Sequence, residues 1–117
     1  MPNSYRELIA WQLAMDLVEA CYVLTKSLPD TERFGLVSQI NRAAVSVPAN
    51  IAEGFGQRSH AEFRNLLGYA NGSLKEIETH LAICVRLELL SPAAALPAQS
   101  LADRTGAVMR KPIASLN

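Results

Sequence analysis

The side chains best placed to do chemistry lie in and just after the stretch "RAAVSVPANIAEGFGQRS", Arg42 to Ser59. Arg42, Ser46, Asn50 and Glu53 form a polar cluster around Pro48, and Arg58 and Arg64 follow. Asn50 and Glu53 are three residues apart, so on a helix they share a face. A guanidinium, a hydroxyl, an amide and a carboxylate at a bend could hold a polar ligand. The same groups could equally close a helix end and make inter-helix or inter-subunit hydrogen bonds, and the residues favour this structural role.

The catalytic and metal alternatives are weak. Nucleophilic catalysis needs a Ser or Cys, a His base and an orienting carboxylate. The two histidines, His60 and His80, sit in helical patterns that would leave them near the surface, and no nucleophile elbow occurs. "EGFGQRS" lacks the lysine and the preceding strand of a phosphate-cradling loop. Glu76, His80 and Cys84 are spaced by four residues and could in principle approach a metal. Cys84, however, continues an apolar seam, and Glu76 with His80 reads as a surface pair. Paired Glu-x-x-His motifs of di-iron bundles are absent. No catalytic, metal or cofactor residue is assigned, and no small-molecule substrate is expected.

Four helices, and no strand, are needed to position these groups. They are expected over about residues 4–28, 32–55, 59–90 and 92–113. Pro29 ends the first, and Asp30 or Thr31 can cap the second. Leu36, Ile40, Ala43, Val47, Ile51 and Phe55 keep helical spacing through Pro48, so the second helix should continue and kink there. Proline frees the carbonyl of Ala44, and Ser46 and Asn50 are close enough to help it. Gly54 or Gly56 suits a left-handed cap, and the small residues of this stretch allow close backbone approach. Ser59 and Glu62 have capping-box spacing. Ser91 and Pro92 are suited to the cap and first position of the fourth helix. Pro97 and Pro112 could restrict its regular part to about residues 97–111. Short connections make successive helices antiparallel neighbours, which describes an all-α, up-down-up-down four-helix bundle in one domain.

Phe63, Leu67, Ala70, Leu74, Ile77, Leu81 and Cys84 alternate steps of four and three, the pattern of a core seam. The first helix differs. Ile9, Leu13, Leu17, Ala20, Leu24 and Leu28 make one apolar face, and Leu8, Trp11, Met15, Val18 and Tyr22 make another. Ile83, Val85, Leu87 and Leu89 add apolar surface beyond the seam. A monomeric bundle helix needs a single apolar stripe, so the second face is expected in a homo-oligomer interface. Trp, Met and Tyr are enriched in such interfaces.

Eleven basic and eleven acidic residues cancel, which argues against a general electrostatic grip on nucleic acid. A local surface of Arg33, Arg42, Arg58 and Arg64 remains the alternative reading, since copies of one arginine could line the opening of a ring. Cys21 and Cys84 lie in apolar helical patterns and read as reduced, buried thiols of a cytoplasmic protein. The N-terminal segment lacks the basic start and apolar run of a signal peptide, and no apolar run approaches the roughly 20 residues of a membrane span.

Several segments then resemble a known family. Tyr5, Leu8, Trp11 and Gln12, "RFGL" at 33–36, Arg42 to Gly54, and Gly72, Ser73, Glu76, Glu78 and Thr79 are similar to the motifs of the four-helix bundle 23S rRNA intervening-sequence proteins. The resemblance covers residues 5 to about 90. It implies a bacterial cytosolic protein and a homopentameric ring, but supplies no reaction. The family's name records a genomic location. A bundle of similar form, the accessory protein of diversity-generating retroelements, works with a reverse transcriptase and nucleic acid. That protein is strongly basic, whereas this chain is neutral.

Overall fold

The computed structural model describes residues 2–116. Among them it is all-helical, with four α-helices: α1 (Ile9–Thr25), α2 (Leu36–Phe55), α3 (His60–Arg86) and α4 (Pro92–Met109). Short 3-10 turns cover Tyr5–Glu7, Asp30–Glu32 and Ile113–Ser115.

Each boundary has a local cause. The first helix starts at Ile9 rather than near residue 4, because Leu8 is extended between the Tyr5–Glu7 turn and α1. That turn directs the Leu8 side chain inward, where it is only 2% exposed. Leu8 therefore belongs to the chain's own core and leaves the candidate interface. The second helix starts at Leu36 rather than 32. Asp30 and Thr31 lie in a 3-10 turn, and a Glu32 carboxylate oxygen instead accepts from the Leu36 amide at 3.2 Å. A Cβ on Gly35 would sit 2.9 Å from that oxygen, so glycine leaves room for the cap.

α2 continues through Pro48 to Phe55. Its end is not the expected left-handed glycine: Gly56 is right-handed, at φ −78°. Gly54 has another use. A Cβ there would lie 2.6 Å from Phe63 Cδ1, so the absent side chain lets α3 approach. Phe63 also meets Phe55 edge to face, with ring centroids 6.4 Å apart.

Ser59 Oγ accepts from the Glu62 amide at 3.1 Å, as the capping box requires. The return bond is shifted by one residue, from the Arg58 amide to the Glu62 carboxylate. α3 ends at Arg86, earlier than about 90, because Glu88 takes a left-handed conformation (φ 60°) and the Leu89 amide turns back to the Cys84 carbonyl at 2.8 Å. This is the capping geometry that glycine usually supplies.

Ser91 caps α4 by accepting from the Ala94 amide at 3.0 Å, with Pro92 as the first helical residue. α4 runs through Pro97, so its regular part begins earlier than expected. It stops at Met109, and Pro112 falls beyond it. Pro97 lies near the helix start, so it removes only one early hydrogen bond.

The core is a single cluster. Leu17, Ile40, Val47, Ile51, Leu74, Ile77 and Leu81 are among its fully buried members. The α3 seam is buried at every expected position, Phe63 to Cys84. On α1 the buried stripe is Ala10, Leu13, Ala14, Leu17, Cys21 and Thr25. It takes in Leu13 and Leu17 of the first expected face, whose Leu28 is also buried and whose Ala20 and Leu24 pack against the core, and it extends toward the second through the small side chains at 10, 14 and 21; Ile9 is left exposed.

Candidate functional site

Two of the four members of the polar cluster on α2, Ser46 and Asn50, are engaged with their own fold. Ser46 Oγ donates to the Ala43 carbonyl at 2.8 Å and shares a hydrogen bond with Ser73 Oγ of α3. Asn50 Nδ2 donates to the Ser46 carbonyl at 2.8 Å. Neither side chain reaches the Ala44 carbonyl freed by Pro48, contrary to the expectation above. Arg42 and Glu53 are exposed. Gln39, Arg42, Ser46, Ser73 and Glu76 line a shallow polar groove between α2 and α3. Its lining includes no histidine or cysteine.

The histidine and thiol candidates do not converge. His60 and Glu76 are exposed, whereas Cys84 is fully buried. His80 is half-buried, with Nδ1 enclosed and unpartnered among the described residues. No set of three His, Cys, Asp or Glu side chains among those residues is arranged to hold a metal ion. Burial pushes the Cys21 thiol up to about 12. Burial also raises the Cys84 thiol, and the Glu32 carboxylate adds to the effect. Both therefore stay protonated and poorly nucleophilic near neutral pH.

The candidate arginines divide. Arg64 does not stand free: its guanidinium donates to the carbonyls of Met109 and Lys111, each at 3.0 Å, and so closes the C-terminal end of α4. Arg33 lies over the Phe34 ring, 5.5 Å from its centroid. Arg42 and Arg58 are exposed on the surface.

The α1 interface candidates form a shoulder beside α2. Trp11 and Val18 are half-buried, and Trp11 packs edge-on to Tyr5 with centroids 5.4 Å apart. Met15 is 38% exposed and Tyr22 44%. Tyr22 opens onto a hollow of about 460 Å³ with Arg42, Val45 and Ser46 of α2. Ile83 on α3 and Leu87 just after its end are exposed, whereas Val85 and Leu89 are half-buried.

Two surfaces were missed by pattern reading. Phe34, 87% exposed, lies in the turn before α2, although the second helix was expected to include it. On the other flank of α1, Asp16, Glu19, Ala20, Val23 and Leu24 face Ala94, Pro97 and Ala98 of α4 across an open groove of about 470 Å³. Val23 is 69% exposed there. The available sequence signal was alanine at 20, 94 and 98: side chains too small to fill the space between two helices.

Among the described residues, no helix is long and apolar enough to cross a membrane. The family model described as "23S rRNA-intervening sequence protein" matches residues 6–111. No match is found among curated proteins. A solved structure from Bacteroides thetaiotaomicron, described as a protein with unknown function from the S23 ribosomal protein family, has a similar fold. It is 22% identical, with a TM-score of 0.80, over 86% of this chain and 94% of that one.

Proposed function

Since the chain belongs to the 23S rRNA-intervening sequence protein family, we propose that it works as a non-enzymatic, homo-oligomeric scaffold built from one up-down-up-down four-helix domain. Helix pairings support that topology. Thr25 near the end of α1 meets Asn41 near the start of α2, and Arg64 near the start of α3 meets the end of α4. A bend of α2 at Pro48, a cytoplasmic setting and a pentameric ring belong to the same reading.

The observation that carries the proposal is the exposed apolar surface on α1 and α2. Met15, Tyr22 and Val45 are all at the surface, and the half-buried Trp11 and Val18 border them. Exposed residues of this kind, joined into a patch, mark an interaction site. Association is further favoured by zero net charge. Sedimentation velocity at micromolar concentration should show an oligomer, and a monodisperse monomer would refute the reading. Trp11→Asp should shift the assembly to smaller species. Met15→Asp, at a more exposed position, should do the same without disturbing the fold.

An arginine-lined nucleic-acid surface has weaker support. Arg64 is held by backbone carbonyls, and Arg33, Arg42 and Arg58 occur in a neutral chain.

A further inference from the structure

We infer that the Arg33–Phe34 pair of one copy docks into the α1–α4 groove of a second copy. This inference rests on the self-association proposed above and specifies its contact.

Phe34 is the most exposed of the large apolar side chains described. A ring left in water at the tip of a turn contributes nothing to the chain's own core. The groove offers a complementary shape. Ala20, Ala94 and Ala98 leave a hollow between α1 and α4, and Val23 and Pro97 give it apolar walls. Its volume, about 470 Å³, is several times that of a benzyl group, so the ring can enter along with part of its own turn.

Charge selects the same occupant. Arg33 lies against the Phe34 ring, so a ring placed in the groove brings the guanidinium to its rim. Asp16 and Glu19 stand on that rim. Among the described residues the only ion pair is Lys75 with Glu78, which leaves both carboxylates free to meet a cation from outside. An aromatic inserted in an apolar hollow with an arginine paired beside it is the composition of an interface hot spot.

The knob and the groove are different patches, so the contact joins unlike surfaces. Repeated contacts of this kind close into a ring if the rotation between neighbours allows it, and otherwise extend as a filament. The Tyr22 shoulder lies on the opposite flank of α1 from the groove. It can therefore extend the surface that carries the knob.

The test mixes two defective chains. Phe34→Ala removes the knob and keeps the groove. Ala94→Trp fills the groove from an exposed position and keeps the knob. Both positions are exposed, and circular dichroism should show unchanged helicity. Each variant alone should sediment as a monomer, with affinity reduced at least about 30-fold, the loss expected for a hot-spot residue. A one-to-one mixture has a single productive contact and should give heterodimers and nothing larger. Arg33→Glu should weaken assembly, and adding Asp16→Arg and Glu19→Arg should restore it.

Normal assembly of either single variant overturns the inference, as would happen if a different partner filled the groove. A mixture that stays monomeric also overturns it. If the unaltered chain is itself a monomer, self-association fails and this contact fails with it. If Met15→Asp breaks the oligomer while Phe34→Ala leaves it intact, only the contact assigned here is wrong.

Discussion

The α2–α3 contact and the α1–α4 contact each include a proline-bearing helix, yet one is closed and the other open. Around Pro48, Ser46 and Ser73 bond across the helices and Gly54 admits Phe63. Around Pro97, alanines leave a groove with Val23 exposed beside it and two carboxylates on its rim. Side-chain size makes the difference. Glycine at a crossing draws backbones together, whereas alanine opposite alanine without such an approach leaves a hollow. A proline within a helix therefore does not by itself mark a functional site. What its neighbours leave unfilled is more informative.

If this contrast holds, substitutions in the closed region should alter stability and leave assembly of the folded chains intact, while those in the open region should do the reverse. Gly54→Ala should have the largest effect on stability. Its new Cβ would meet Phe63 Cδ1 at 2.6 Å and Leu66 Cβ at 3.3 Å. Overpacking of this kind costs roughly 1–3 kcal/mol, so thermal unfolding should shift down by about 5–15 °C. An unchanged midpoint would show that the α2–α3 crossing is looser than the contrast requires.

Arg64→Met should have an intermediate effect. It removes two charge-assisted hydrogen bonds to the Met109 and Lys111 carbonyls but keeps the apolar stem. The exposed setting reduces their value, so a loss of about 1 kcal/mol is expected. Amide hydrogen exchange should rise first at the end of α4 and in Ile113–Ser115. A change in nucleic-acid retention with stability intact would instead restore Arg64 to the binding residues.

The repeated elements were the legible ones. The α3 seam from Phe63 to Cys84 could be read because one helix face stays buried for its whole length. The Ser59 and Ser91 caps could be read because they depend on local chemistry. The core face of α1 was read only in part: Leu13, Leu17 and Leu28 are buried as expected, but Ala10, Ala14 and Cys21 carry little hydrophobic weight in a pattern, although their small size brings the helices together. Leu8 was misassigned because one extended residue broke the helical period and turned it inward. Phe34 was missed because the second helix was expected to start at about 32, whereas α2 begins at Leu36 and leaves Phe34 in the preceding turn. Arg64 was counted as a surface cation because the carbonyls it meets are more than forty residues away in sequence. The polar cluster at Pro48 was read as more structural than functional; Ser46 and Asn50 bond to backbone carbonyls of α2, and Ser46 also to Ser73 of α3.

Ser46→Ala gives the smallest effect and the finest discrimination. Ser46 borders both the Tyr22 hollow and the polar groove toward Ser73, so it stands where closed and open surfaces meet. If its work is internal, the substitution removes the bonds to Ala43 and Ser73 and costs about 1 kcal/mol. The sedimentation profile of the folded protein should then match that of the unaltered chain. Ser73→Ala alone should cost a similar amount, and the double variant less than the sum, because the two hydroxyls share one bond. Intact stability with lost assembly would place Ser46 in the subunit contact, and the closed region would then end at Pro48 rather than at Ser46.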